Sequence, residues 1–303
     1  MKIIFMGTPS YATVIFEKLL NANYDIVALF TQPDKKFGRK QILTSPHIKQ
    51  FCIENGLSLP IYQPKNLKEM NIKDDIVKLE PDFIVVAAYG QILPKNILDI
   101  APCINLHASL LPKYRGASPI QSALFNEDVY TGVTSMLIEE GLDSGDILGF
   151  KYINIESTAN AQELFDKLSI VAAQLIIDTI TLFHNICPKK QNKLEVSYCK
   201  KIKRNDGLIV FDDANKIYQK FKAYNFWPGI FLESGLKIKE CNMCEKTSVN
   251  KAGEIIEINK NYILVGCSMG ILQITTVQPV SKKPMDVVDF IRGERKQVGD
   301  ILI

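Results

Sequence analysis

The chain has few of the residues that usually reveal a chemistry. Of its 303 residues only three are histidine and one is tryptophan. Its seven cysteines, Cys52, Cys103, Cys187, Cys199, Cys241, Cys244 and Cys267, are odd in number and scattered, unlike the dense frameworks that staple small secreted domains. A reducing, cytoplasmic setting is therefore expected. Cys241 and Cys244 form a lone C-x-x-C with no second pair and no histidine nearby. Residues three apart on a strand face opposite ways, so no zinc site is expected there, and no metal elsewhere. No apolar run approaches the roughly 20 residues that cross a bilayer, and the opening run Lys2–Gly7 is too short for the apolar core of a signal sequence, so no membrane association is expected. Charge of one sign is not in large excess either: 36 basic against 33 acidic residues leave +3, which by itself marks no polyanionic partner. After the first apolar run, Gly7-Thr8-Pro9-Ser10 lacks the G-x-G-x-x-G fingerprint, which argues against a dinucleotide-dependent dehydrogenase.

The length exceeds what one hydrophobic core usually organises, so two domains are expected. From Lys2 to about Cys187, short β-branched runs alternate with helical patterns, the rhythm of an α/β domain with a mostly parallel sheet. The strands read from this pattern are Ile3–Met6, Ile26–Thr31, Phe83–Ala88, Cys103–His107, Gly132–Ile138 and Ile147–Ile155. The clearest helix follows them. Asn160 and Glu163 have capping-box spacing, and Leu164, Leu168, Val171, Leu175 and Ile176 recur on one face. Residues 188–206 lose this periodicity and carry seven bases against two acids, which reads as a basic linker. Beyond it, short strands at Gly229–Glu233, Leu236–Cys241, Glu254–Ile258, Tyr262–Cys267 and Ile271–Val277 suggest a small closed β-barrel, with an OB-fold as the leading candidate. The expected division is thus 1–187, 188–206 and 207–303, in a chain that acts as a monomer.

The densest polar punctuation follows the strand at Cys103. In Cys103-Ile104-Asn105-Leu106-His107, Asn105 and His107 are two apart and share a face. The carboxyl end of a parallel strand is where α/β sheets open their ligand crevices. An amide and an imidazole there can grip one developing charge, although a lone histidine at a strand end can equally just satisfy a carbonyl. A second cluster, Glu140-Gly141-Leu142-Asp143-Ser144-Gly145-Asp146, has the glycines for a tight excursion that presents Asp143 to a pocket, or for one that Asp143 merely caps.

The run INLHASLLPKYRGASPIQ resembles the signature of the folate-dependent formyltransferases, and EEGLDSGDI resembles the loop carrying their essential aspartate. That resemblance implies an N-terminal Rossmann-like domain, 10-formyltetrahydrofolate as the formyl donor, and Asn105, His107 and Asp143 as the catalytic set. It also implies that Ser109, Leu110, Leu111 and Pro112 lie along the folate. Val86, Ala87, Ala88, Tyr89 and Gly90, with Gly141 and Leu142, would help enclose the pterin. The chemistry suits these residue types. An amine attacking the formyl carbon creates an oxyanion that prepositioned donors stabilise; Asn105 and a protonated His107 can supply them, while Asp143 relays the proton leaving the amine.

Within that family, Thr31-Gln32-Pro33-Asp34-Lys35-Lys36-Phe37-Gly38-Arg39-Lys40 resembles the basic loop inserted in the members that formylate methionyl-tRNA, with Arg39 in the place of their key arginine. Ala223-Tyr224-Asn225-Phe226-Trp227-Pro228-Gly229 resembles the segment opening their C-terminal domain, departing from it at Phe226, where proline is usual. Trp227 is read as a core anchor rather than a stacking platform. Lys35, Lys36, Arg39 and Lys40, with Lys200, Lys201, Lys203 and Arg204 of the linker, are the expected tRNA contacts, since cationic grooves follow phosphates. The implied acceptor is initiator methionyl-tRNA. An amino-sugar N-formyltransferase would keep the same three catalytic residues without reason for the basic loop and linker, and a non-catalytic RNA-binding relative would have no reason to keep the three.

Overall fold

The computed structural model describes residues 1–38 and 40–302, so Arg39 lies outside the described residues. The chain forms two compact units. The first comprises Met1–Pro119, Tyr130–Asn154 and Phe165–Cys199; the second comprises Ile120–Val129, Ile155–Leu164 and Lys200–Ile303.

The elements running through the first part of the chain are β1 (Lys2–Gly7), α1 (Ser10–Asn21), β2 (Asp25–Phe30), β3 (Lys35–Phe37), β4 (Ile42–Thr44), α2 (His47–Glu54), β5 (Ile61–Tyr62), α3 (Met70–Leu79), β6 (Phe83–Ala87), α4 (Lys95–Leu98) and β7 (Cys103–His107). They continue with β8 (Arg115–Gly116), α5 (Pro119–Phe125), β9 (Tyr130–Leu137), β10 (Ile147–Asn154), α6 (Ala161–Leu182) and β11 (Tyr198–Cys199). A seven-stranded sheet has the order β10-β9-β7-β6-β1-β2-β5. From β7 to β5 every pairing is parallel. Strands buried on both faces read as continuous apolar runs rather than alternating ones, and Ile3, Ile4, Phe5 and Met6 of β1 are all fully buried. The chain leaves β1 toward β2 on one side and returns to β6 on the other, which places a switch point at the carboxyl ends of β1 and β6, beside β7. The far edge is antiparallel: β9 pairs with β7, and β10 with β9. Strands joined by a short connection such as 138–146 can only pair that way, since a parallel pair needs a crossover of a dozen residues or more.

Helix α6 begins as its spacing indicates. The Asn160 side chain accepts from the Glu163 backbone N–H at 3.1 Å, and the Asn160 N–H donates to the Glu163 carboxylate at 3.3 Å. Leu164, Leu168, Leu175 and Ile176 are buried, and Val171 is half-buried. By length and composition this helix is apolar enough to cross a membrane, yet much of it is buried within the fold.

Three further local findings differ from the expectation. The basic stretch read as a loop holds the β3–β4 hairpin, Lys35 opposite Thr44 and Phe37 opposite Ile42. The segment read as a linker is largely folded into the first unit, where β11 pairs in parallel with β8. Trp227 is half exposed and Phe226 is 81% exposed, so Trp227 is not a core anchor; the pair sits in the turn between the helix Ala214–Tyr224 and the following strand rather than in a regular element with a buried face.

The second unit holds α7 (Ala214–Tyr224), β12 (Ile230–Phe231), β13 (Lys237–Glu245), β14 (Ile255–Ile258), β15 (Ile263–Gly266), β16 (Ile271–Gln278), β17 (Met285–Asp286) and α8 (Val287–Gly293). Its antiparallel sheet runs β12-β13-β16-β15-β14, with β17 added to β16. Strand β16 is the hub, pairing along its length with β13, over its first half with β15, and over its second half with β17. The core gathers Ile217 of α7 with Ile238, Cys241, Ile263, Val265, Leu272, Ile274 and Val277. Cys244 of the same β13 is exposed. The pairing path among the described residues is open from β12 to β14, so the closed barrel expected from the strand spacing is seen only as an antiparallel sheet. Spacing specifies how many strands there are, and it carries no information on whether the first and last meet.

Candidate active site

Strand register sets the site. Val86 of β6 stands opposite Asn105 of β7, and His107 stands opposite Thr134 of β9. Residues after β6 and after β7 therefore leave the sheet side by side at its carboxyl end. Asp143 arrives from the loop joining β9 to β10, at φ 48°, a left-handed conformation that a residue with a Cβ adopts only when its surroundings hold it there.

Three contacts hold the Asp143 carboxylate. One oxygen, Oδ2, accepts from the Gly116 backbone N–H at 2.8 Å and faces His107 Nδ1 at 3.6 Å. The other, Oδ1, accepts a long bond of 3.5 Å from Asn105 Nδ2. His107 is 6% exposed and Asp143 17%, so both lie where water screens charge poorly. The other ring nitrogen, His107 Nε2, lies 2.8 Å from the Tyr114 carbonyl. A carbonyl only accepts, so Nε2 carries a hydrogen and Nδ1 is left to face Asp143 and to exchange a proton. Asn105, His107 and Asp143 thus stand together, with one amide, one imidazole nitrogen and one carboxylate converging. Such a group can bind an oxyanion and move a proton.

The turn after β7 is fixed from within. Ser109 is fully buried; its hydroxyl donates to the Lys113 carbonyl at 2.6 Å. Thr134 Oγ1 donates to the Ser109 carbonyl at 2.7 Å and accepts from the Leu111 N–H at 3.0 Å. Tyr114, at φ 59°, and Gly116, at φ 120°, turn the chain back toward Asp143. Glycine is needed at 116, because a Cβ there would collide with the Cys199 carbonyl of β11.

The residues expected along the folate divide by exposure. Ala88, Gly90, Gly141 and Leu142 are exposed, and Leu110 and Pro112 half-exposed, so these can meet a ligand directly. Val86, Ala87, Ser109 and Leu111 are buried and can contribute only backbone or shape. Tyr89 does not face this side. Its ring is buried in the same cluster as Leu67, Leu93 and Ile97, and that burial pushes its phenol above the ordinary range; its carbonyl accepts from Thr8 Oγ1 and Gln32 Nε2, each at 3.1 Å. Exposed Ala88 and Leu142 with half-exposed Leu110 and Pro112 offer an apolar surface of the kind that suits a flat heteroaromatic ring such as a pterin. Among the described residues no group of three or more His, Cys, Asp or Glu is placed to hold a metal ion.

The basic residues are elsewhere in the chain. Lys35, Lys36 and Lys40 are exposed on and beside the β3–β4 hairpin, and Lys200, Lys201, Lys203 and Arg204 are exposed in the segment that leads into the second unit. At the foot of the hairpin, Lys49 Nζ bonds both Asp34 carboxylate oxygens, at 3.0 and 2.9 Å. Gln63 Nε2 donates to Asp34 at 2.7 Å. The Gln63 bond first and Lys49 second hold the Asp34 carboxyl below the usual carboxylate range. Thr134, Gln191 and Ser197, which brace the turn after β7, were not singled out in the sequence, and Arg115 was noted only as part of the signature run.

Comparison with known proteins follows the same outline. The profile of the family described as formyl transferase matches residues 1–180, and that of the formyl transferase C-terminal domain matches residues 201–295. The chain is 54% identical over 300 residues to the methionyl-tRNA formyltransferase of Nitratiruptor sp., and 53% identical over 300 residues to that of Campylobacter lari, with 99% of both chains covered each time. Among solved structures, HypX from Aquifex aeolicus in complex with tetrahydrofolic acid has the same fold, with a TM-score of 0.67 at 14% identity; the match covers 100% of this chain and 49% of that one. A profile match over more than half the residues, with identity above one half along nearly the full length, shows that the chain belongs to the formyltransferase family.

Proposed function

We propose that the chain transfers the formyl group of 10-formyltetrahydrofolate to the α-amine of methionyl initiator tRNA. The observation that carries this reading is identity above 50% across both units to proteins named methionyl-tRNA formyltransferase. The convergence of Asn105, His107 and Asp143 supports the chemistry.

In this reading the acceptor amine attacks the formyl carbon, and the carbonyl oxygen gains the charge. Asn105 Nδ2 donates to that oxygen, and so does His107 Nδ1 in the protonated ring, where both nitrogens carry hydrogen. Asp143 takes the proton released by the amine and returns it to the departing folate nitrogen, so the proton count balances and the formyl C–N bond to folate breaks as the new one is complete. Removing one donor of this kind costs about 3 kcal/mol, or a hundredfold or more in rate. Leu110, Pro112, Ala88, Gly90, Gly141 and Leu142 bound the donor; Lys35, Lys36, Arg39 and Lys40 with Lys200, Lys201, Lys203 and Arg204 bind tRNA phosphates.

We read residues 1–187 as the catalytic domain, 188–206 as the basic connection and 207–303 as an OB-fold-like tRNA-binding domain, for which the β16 hub and its flanking strands are the support. A cytoplasmic monomer is the proposed working state: no disulfide joins the described cysteines, and one chain carries all three proposed catalytic side chains. The test is acceptor competition. Labelled formyl from 10-formyltetrahydrofolate should appear on methionyl initiator tRNA and not on a nucleotide-linked amino sugar offered alongside; label on the sugar alone would overturn the acceptor and leave the catalytic set standing.

A further inference from the structure

A buried side chain ties the Asp143 loop to the turn after β7. Gln191 is 9% exposed. Its amide nitrogen donates to two backbone carbonyls of the aspartate loop, Asp143 at 2.9 Å and Gly145 at 2.8 Å. Its amide oxygen accepts Nε of Arg115 at 3.0 Å and Nη2 at 2.7 Å. Arg115 is itself buried, and it immediately precedes Gly116, whose N–H holds the Asp143 carboxylate. Both amide hydrogens and both lone pairs of Gln191 are thereby used, a full complement that only an amide of this length can offer here. The surrounding strand acts with it: Ser197 accepts the Tyr114 N–H on Oγ and the Arg115 N–H on its carbonyl, each at 2.9 Å.

We propose that Gln191, bridging Arg115 to the Asp143 and Gly145 carbonyls, is the positioning residue that sets the Asp143 carboxylate for formyl transfer. The inference rests on the formyl-transfer reading. It explains why a segment that resembles a linker is folded against the site: residues 189–199 brace from behind the two loops that must meet in front.

The experiment compares two variants in the full chain. Gln191→Glu keeps the pairing with Arg115 but sets a carboxylate oxygen against two carbonyls; Gln191→Met keeps the volume and loses all four bonds. A displacement of about 1 Å at a reacting group costs ~10²-fold in rate, so both should lower kcat by that order while KM for methionyl-tRNA and the affinity for folate stay unchanged. Because the effect passes through Asp143, adding either change to Asp143→Asn should cost nothing further. Arg115→Lys, a milder break that leaves the two carbonyl bonds in place, keeps the test standing where the Gln191 variants do not fold, and should show the same non-additivity. Folded variants with parental kcat, or losses that add in full to that of Asp143→Asn, would overturn the inference. A parent that transfers no formyl group would sink the functional reading along with it, so the two failures are distinguishable.

Discussion

Replacing Asp143 by asparagine separates the proposed catalytic role of its charge from its place in the fold. The carboxylate accepts from two donors, the Gly116 N–H at 2.8 Å and Asn105 Nδ2 at 3.5 Å, and faces His107 Nδ1 at 3.6 Å. An amide has one acceptor and one donor end. Its oxygen must take the Gly116 side, because an NH₂ group 2.8 Å from a backbone N–H would be repelled. The NH₂ end then faces Asn105, where only a long bond is lost. Hydrogen bonds to charged groups contribute about 1.5–3 kcal/mol, and at 3.5 Å in a partly solvated site the loss falls below that, on the order of 1 kcal/mol. The rate should fall much further. Asparagine takes no proton, and general acid–base assistance is worth about 10²–10⁴-fold. The assay is single-turnover transfer of labelled formyl at saturating methionyl-tRNA, with denaturant unfolding of the same preparation. A rate within about tenfold of the parent would refute the proton-relay role, as would a loss of rate that merely tracks a loss of folded protein.

Gly116→Ala adds a Cβ against the Cys199 carbonyl at a φ of 120°; overpacking of ~1–3 kcal/mol and backbone strain of ~1–3 kcal/mol should together lower the unfolding midpoint and kcat, and an unchanged midpoint would refute the close approach of β8 and β11. Because the Asp34 carboxyl is held below its ordinary value when folded, its contribution to stability is complete above the unfolded value of about 3.9 and is lost as pH falls through the lower folded one. Asp34→Asn should accordingly flatten the acid limb of urea midpoints measured from pH 7 down to pH 3 and leave the rest of the curve in shape; a parental acid limb would contradict it. Burial pushes the Cys103 thiol up to about 12 and the Cys52 thiol to about 11, so brief alkylation of the native protein should label exposed Cys187 and Cys244 alone, and mass-spectrometric recovery of label on Cys103 before Cys187 would refute the burial.

Much of the first unit was legible because its signals are local. The strand at Cys103–His107 coincides with the apolar run that suggested it, and the Asn160–Glu163 capping box closes as its spacing indicates. Asn105 and His107 drew notice because two polar residues two apart on a strand share a face, and the structure does bring both beside Asp143. What escaped depends on distance along the chain. Gln191 meets Arg115 across 76 residues, and nothing in Lys189-Lys190-Gln191-Asn192 distinguishes a buried amide from a solvated one. The β3–β4 hairpin was hidden by its charge, since Lys35 and Lys36 read as loop although their backbone pairs with Leu43 and Thr44. Trp227 misled for the opposite reason: as the only tryptophan it reads as core, yet the turn between α7 and β12 leaves it half exposed. Tyr89 lies in the segment read as enclosing the pterin, but its ring packs into the core, a choice that strand periodicity alone does not specify.

The most direct test of the account is whether the constellation around His107 performs the transfer. Parent, His107→Ala and His107→Asn should be compared for tetrahydrofolate binding and, separately, for single-turnover formylation of methionyl initiator tRNA, the product identified by the mass of its released amino acid. All three should bind folate, the parent should yield formylmethionine, and both variants should lose at least about a hundredfold in rate. A variant that binds folate and formylates at the parental rate would contradict the claim that Asn105, His107 and Asp143 carry the chemistry.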